Sequence, residues 1–313
     1  MSPENLLSWP TLAAGDLVRL VSPASTPSED VIAAAQAVLE SWGLEVEVGE
    51  HARDQWGYMA GRDSDRLQDL NDAFRDPNVR AIITTRGGAG AYRICDDIDF
   101  DAVRANPKPV VGFSDITYLH MALWREVRLP TVHGFLFQVG KQSLQTARSL
   151  LLDAEPVVVH RDSDAYSARI HNSGVAEGPL LGGNLSSLCH MVGAGLPPLH
   201  GAILLLEDKR DMGLGRIDRQ LTQLRRAGAF DGLAGIALGL FTGFDDYEDR
   251  GWALVDVLQD HFGALDLPIL GGLSIGHNGF DDAGVMDQAC VALGTNAALD
   301  ADAGTLTSHP PTH

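Results

Sequence analysis

The run Lys108-Pro-Val-Val-Gly-Phe-Ser-Asp-Ile-Thr117 puts a reactive group where its surroundings could activate it. An apolar strand, Pro109 to Phe113, stops at a serine. A helix with Ile116, Leu119, Met121, Ala122 and Leu123 on its apolar face starts at once. Ser114 therefore lies on a tight turn at the carboxyl end of a strand and the amino end of a helix. Free N–H groups and the helix dipole there favour negative charge. A hydroxyl so placed can act as a nucleophile, because the same spot stabilises the oxyanion it would create. Serine is also a preferred helix cap, so the rest of the chain must decide between the two roles.

A serine nucleophile needs a base, and the base needs an orienting acid. Of the eleven histidines, His277 is the first candidate. It follows an apolar strand, Pro268 to Ser274, in the run Ile275-Gly-His-Asn-Gly279, whose glycines allow close approach. His133, next to Gly134 at a strand end, is the rival base and reads as structural or pocket-lining. His120 lies on the Ser114 helix facing away from the turn. The acid is marked by Ala202-Ile-Leu-Leu-Leu-Glu-Asp208, an apolar strand that ends in two carboxylates. A carboxylate at the edge of a core is costly unless it is paired. Glu207 and Asp208 both qualify.

The loop Thr85-Arg-Gly-Gly-Ala-Gly90 follows a strand and lets backbone N–H groups approach a ligand. It could serve as half of an oxyanion hole with the Asp115 N–H. It could equally cradle a phosphate, and a non-catalytic nucleotide-binding module is the reading from a different class. Neither G-x-x-x-x-G-K-S/T nor G-x-G-x-x-G occurs. The absence of H-E-x-x-H disfavours a metalloprotease. No metal and no cofactor are expected. Asp96-Asp97 and Asp281-Asp282 read as solvated or capping residues.

These residues need a scaffold that brings distant segments together. The first half alternates strand and helix. The strands run from Asp16 to Val21, Leu44 to Val48, Val79 to Thr85, Pro109 to Phe113 and around Thr131 to His133. Helices are expected after Thr26-Pro-Ser-Glu29, which has the form of a capping box, from Ser64 to Phe74 and near Tyr92 to Ile98. Such alternation builds right-handed βαβ units on a parallel sheet, with the site at the carboxyl ends of the strands. A Rossmann- or flavodoxin-like domain over 1–150 is expected. A polar linker (151–173) should follow, then an α+β, barrel-like domain (174–304) and a disordered tail (305–313).

The composition is that of an ordinary globular chain: 313 residues, 45% hydrophobic and 21% charged. No run approaches the roughly 18 apolar residues of a membrane span. A formal net charge of −19 argues against a nucleic-acid backbone or an anionic membrane as partner. The amino-terminal segment has no secretory pattern. Cys95, Cys189 and Cys290 lack metal spacing and read as reduced core thiols. A cytoplasmic location is therefore expected.

Taken in order, Arg86-Gly-Gly-Ala-Gly90 with Tyr92-Arg93, Gly112-Phe-Ser-Asp115, His133-Gly134, Gly182-Gly-Asn184, Leu204-Leu-Leu-Glu207, Arg216-Ile-Asp-Arg219 and Gly276-His277 resemble the LD-carboxypeptidases. These serine peptidases are also known as the muramoyltetrapeptide carboxypeptidase family. The resemblance spans roughly residues 15 to 300. It implies a triad of Ser114 as nucleophile, His277 as general base and Glu207 as its orienting acid, with the Gly88 and Asp115 N–H groups on the oxyanion. Arg86, Asn184 and Lys209 become candidates for substrate binding. It also implies a cytoplasmic homodimer that removes terminal D-alanine from a murein tetrapeptide, a peptide-like substrate. A related branch resembles the microcin C self-immunity enzymes, which cut aminoacyl-adenylate analogues. That branch would need rings that stack on a nucleobase, for which Trp56, Tyr58 and Tyr247 are possibilities. The chain departs from the family at Ala89, where an aromatic is common. It departs again in Asp208-Lys-Arg-Asp-Met-Gly-Leu-Gly215, where Lys209 and Arg210 could meet a substrate carboxylate.

Overall fold

The computed structural model describes residues 6–137, 140–245, 247–278 and 287–311. Two sheets carry the molecule. The first has six strands in the order Val291–Leu293, Thr131–His133, Val110–Gly112, Val79–Thr84, Leu17–Val21, Glu45–Val48. All are parallel except Val291–Leu293 at one edge. Its central strands are apolar on both faces because helices cover both, as parallel sheets require. Helix Glu29–Ser41 buries Ile32, Ala35 and Leu39, and helix Thr117–Val127 buries most of its length.

The second sheet has eight strands, ordered Val157–His160, Thr305–Ser308, Asn296–Asp300, Val175–Asn184, Ile203–Lys209, Gly235–Thr242, Ile269–Leu270, His171–Asn172. Its middle is parallel and its flanks antiparallel. A bridge between Arg161 and Leu273 ties the two ends of this order together, so the sheet curls into a half-barrel. The α/β architecture expected from the alternation is present, with a parallel-rich first sheet and a curled second one.

Several boundaries differ from the sequence reading. The expected linker is built into the second sheet, since Val157–His160 and His171–Asn172 are its two outermost strands. The expected disordered tail also forms a strand. Thr305–Ser308 pairs on both sides, with Asn296–Asp300 and Val157–His160, and its two prolines follow the strand instead of interrupting it. Val291–Leu293, expected in the second domain, instead extends the first sheet beside Thr131–His133. The capping box at Thr26 does not form. Thr26 Oγ1 donates to the Asp54 and Met59 carbonyls, and the helix begins after Ser28. After the glycine loop there is a single 3-10 turn, Ala91–Arg93, in place of a longer helix. Asp281 and Asp282 lie outside the described residues.

Candidate active site

Ser114 occupies a sharp corner. Phe113 is still extended, and Ser114 then adopts φ 64°, in the left-handed region where non-glycine residues are uncommon. A 3-10 turn, Ser114–Ile116, leads into helix Thr117–Val127. The corner closes because its neighbours lack side chains. A Cβ on Gly112 would lie 2.5 Å from Thr84 Oγ1 and 2.6 Å from Ile116 Cγ2. A Cβ on Gly87 would lie 2.8 Å from Ser114 Cβ and 3.2 Å from the Asp115 nitrogen, so the glycine loop rests directly on the corner. Buried Arg66 pins that loop by donating to the Gly90 carbonyl at 2.9 Å. The Asp115 carboxylate fixes it further by accepting from the Ala91 N–H at 2.8 Å. Burial pushes the Asp115 carboxyl up to about 6.

His277 arrives from the second sheet. Only Ile269–Leu270 of the expected strand pairs regularly. The chain beyond is held by Leu273 N–H to the Leu238 carbonyl and by the Ile275 carbonyl accepting from Leu240 N–H. Thr242 Oγ1 donates to the His277 carbonyl. The ring then spans the two sheets, with Nε2 3.1 Å from Ser114 Oγ and Nδ1 2.7 Å from Glu207 Oε2. The same Oε2 accepts the His277 backbone N–H at 2.9 Å. Gly276 permits this approach, since a Cβ there would meet Glu207 Oε2 at 2.5 Å.

Glu207 is fully buried and His277 is 9% exposed. Burial opposes ionisation of both, but each charge and hydrogen bond favours the other's charged form. The net result holds the Glu207 carboxyl below its usual range and the His277 imidazole above 6.5.

Asp208, the other possible acid, turns to the opposite side of the strand, as alternating side chains must. It accepts from Asn184 Nδ2, Ser186 N–H and Oγ, and the Lys209 N–H. His133 is fully buried against Phe113 and does not line the cavity over Ser114. His120 is buried too, with Nε2 2.8 Å from the Gly112 carbonyl. The period-2 rule could have separated Glu207 from Asp208 in the sequence, whereas nothing local signals the distance between Ser114 and His277.

A cavity of about 650 Å³ opens over this cluster. Arg86, Gly88, Asp115, Asn184 and Lys209 line it together with Ser114 and His277. Arg86 has no carboxylate partner among the described residues and donates to the Thr26 carbonyl. Asn184 is held firmly, with Oδ1 accepting from Ser187 N–H and its own N–H donating to Thr117 Oγ1. Lys209 Nζ lies 3.9 Å from Asp211, which also pairs with Arg216 at 2.9 Å. Arg210 instead stacks on Tyr247, 4.3 Å from its ring centroid. None of Trp56, Tyr58 and Tyr247 lines the cavity. Its rings are Phe113, Phe135, Phe137, Tyr92 and Tyr118, which the sequence reading missed. Among the described residues, His51, Asp54 and Asp65 gather potential ligand atoms within 4.8 Å. Two of them already bond to each other, and they stand outside this cavity.

The LD-carboxypeptidase N-terminal domain pattern matches residues 18–134, and the C-terminal domain pattern matches 177–299. The chain belongs to the LD-carboxypeptidase family. It is a serine-type carboxypeptidase by that membership. It is 34% identical to the probable murein peptide carboxypeptidase of Bacillus subtilis, covering 92% of this chain and 90% of that one. It is 32% identical to the murein tetrapeptide carboxypeptidase of Pseudomonas aeruginosa, covering 83% and 87%. Among solved structures, an MccF-like protein from Bacillus anthracis superposes with a TM-score of 0.84. That match has 25% identity and covers 98% of this chain and 100% of the other. MccF itself is a microcin C7 self-immunity protein of Escherichia coli. No helix among the described residues is long and apolar enough to cross a membrane.

Proposed function

We propose that this carboxypeptidase hydrolyses an L,D amide bond and releases the terminal D-alanine of a murein tetrapeptide. One observation carries the reading: the unbroken run Ser114 Oγ, His277, Glu207 at the floor of the cavity. Ser114 Oγ attacks the scissile carbonyl while His277 Nε2 takes its proton. The new oxyanion lies against the Gly88 and Asp115 N–H groups. His277 returns the proton to the departing amine, and D-alanine leaves. Water, deprotonated by the same imidazole, then cleaves the acyl-enzyme and frees the tripeptide. Glu207 holds the ring in the required tautomer and stabilises the imidazolium. Arg86 is the cation available for the substrate's terminal carboxylate, and Asn184 and Lys209 meet the acyl side of the peptide.

The relatives that act on murein peptides support this substrate class. The five rings in the cavity, together with the MccF-like neighbour, favour aminoacyl-adenylate analogues as a second reading. Incubation with both substrates and mass spectrometry of the products separates the two. Stoichiometric D-alanine from the tetrapeptide, with the adenylate analogue intact, is expected; the reverse result overturns the assignment. A nucleotide-binding module would bind without forming product. The proposal includes a cytoplasmic homodimer, and light scattering tests the dimer.

A further inference from the structure

Behind the serine, histidine and glutamate, three buried polar groups have bonding capacity that nothing among the described residues meets. Glu207 uses Oε2 twice on His277 and leaves Oε1 unpartnered. Gln288 is fully buried. It spends Oε1 on the Gly276 N–H and leaves Nε2 unpartnered. His133 is fully buried with both ring nitrogens unpartnered.

Shared neighbours link the three groups. Gln288 and Glu207 press on the same residue, since Gly276 donates its N–H to the one and has no room for a Cβ beside the other. His133 comes from the other sheet. A Cβ on Gly183 would lie 3.2 Å from His133 Nδ1, and Gly183 precedes Asn184, the register partner of Glu207. Phe113 packs against both imidazoles, its ring centroid 6.1 Å from that of His133 and 4.9 Å from that of His277. Burial keeps His133 neutral, with one N–H donor and one bare nitrogen. The set is then one carboxylate acceptor, one amide donor and one imidazole offering a donor. A water can accept from Gln288 Nε2 and His133 while donating to Glu207 Oε1. Buried waters serve this purpose at polar sites with several partners.

We propose that His133 and Gln288 are positioning residues that fix the free oxygen of Glu207 through one shared buried water. Both oxygens of the carboxylate are then held from opposite sides. Its charge is shared with two neutral donors, which keeps the imidazole from binding its proton too tightly. The inference rests on the triad reading given above.

The test uses the full chain. A crystal structure of the wild-type protein, at a resolution that shows ordered water, should place one water within hydrogen-bond distance of Glu207 Oε1, Gln288 Nε2 and a His133 nitrogen. A dry site overturns the proposal whatever the enzyme's activity proves to be. In kinetics, His133→Phe keeps ring volume and removes both nitrogens. It should lower kcat about tenfold with KM unchanged, and move the acid limb of kcat/KM upward by about half a unit to one unit. His133→Gln, which restores a donor and an acceptor, should return most of the limb toward wild type. A folded His133→Phe enzyme with an unmoved acid limb overturns the proposal. If His133→Phe does not fold, Gln288→Met replaces it, removing the donor without adding a charge. The limb must again rise, and an unmoved limb overturns the proposal. Full activity in Ser114→Ala would show that the triad reading itself has failed, independently of the water.

Discussion

The two walls of the cavity are held in different ways. The wall that carries Ser114, His277 and Glu207 is fixed by backbone. A left-handed serine, four close-packed glycines (Gly87, Gly112, Gly183 and Gly276) and main-chain bonds leave its side chains little room to move. The wall that carries Asn184, Ser186, Lys209 and Arg216 is fixed by side chains. Asp208 gathers Asn184 and Ser186, and Arg216 and Gln220 both donate to Ser186 Oγ. Glu207 and Asp208 leave one strand end side by side, yet each organises a different wall. A backbone-built wall suits chemistry, where a displacement of about 1 Å can cost ~10²-fold. A wall of side chains can be re-cut for a new substrate without disturbing the first.

The contrast breaks first at Glu207. Glu207→Gln should reduce kcat by about 10⁴-fold, because the amide supports the wrong tautomer of His277. A loss under tenfold in steady-state assays would mean that Glu207 does not orient the ring. Gly276→Ala should come next. A Cβ there meets the Glu207 side chain at 2.4 Å, on a backbone with φ 100°. We expect a ~10²-fold loss of kcat with KM kept, and a lower thermal midpoint.

The pH dependence tests the same wall without mutation. Glu207 outweighs burial and holds the His277 pKa above 6.5, and the base works only when neutral. The kcat/KM profile should therefore fall about tenfold per unit as pH drops through a value above 6.5. An acid limb below it contradicts the ion pair. The smallest effect belongs to the other wall. Asp208→Asn should raise KM about tenfold, near 1.4 kcal/mol, and leave kcat within a factor of about two. A collapse of kcat in a folded variant would show that the two walls are not separable.

The sequence reveals the parts of this arrangement that are local. An apolar strand broken by Ser114 and followed at once by a helix defines the corner, and Gly87-Gly88 at the next strand end defines the loop. The approach of His277 to Ser114, across 163 residues and two sheets, is set by tertiary packing and leaves no local trace. Thr26 lacks its cap for the same reason, because its hydroxyl is held by carbonyls distant in sequence, Asp54 and Met59, and the helix starts after Ser28. The sheet that Val291–Leu293 joins, and the strand Thr305–Ser308 itself, are set by their neighbours' open edges, which periodicity within the segment cannot reveal. The split between Glu207 and Asp208 was within reach, since a strand must send adjacent side chains to opposite faces.

The central claim is that the Ser114 hydroxyl carries the reaction. Release of D-alanine from a murein tetrapeptide by Ser114→Ala, measured beside the wild-type enzyme at matched concentration, tests it most directly. The account predicts a loss of at least ~10³-fold with the fold intact. Release by the variant within tenfold of wild type would contradict it.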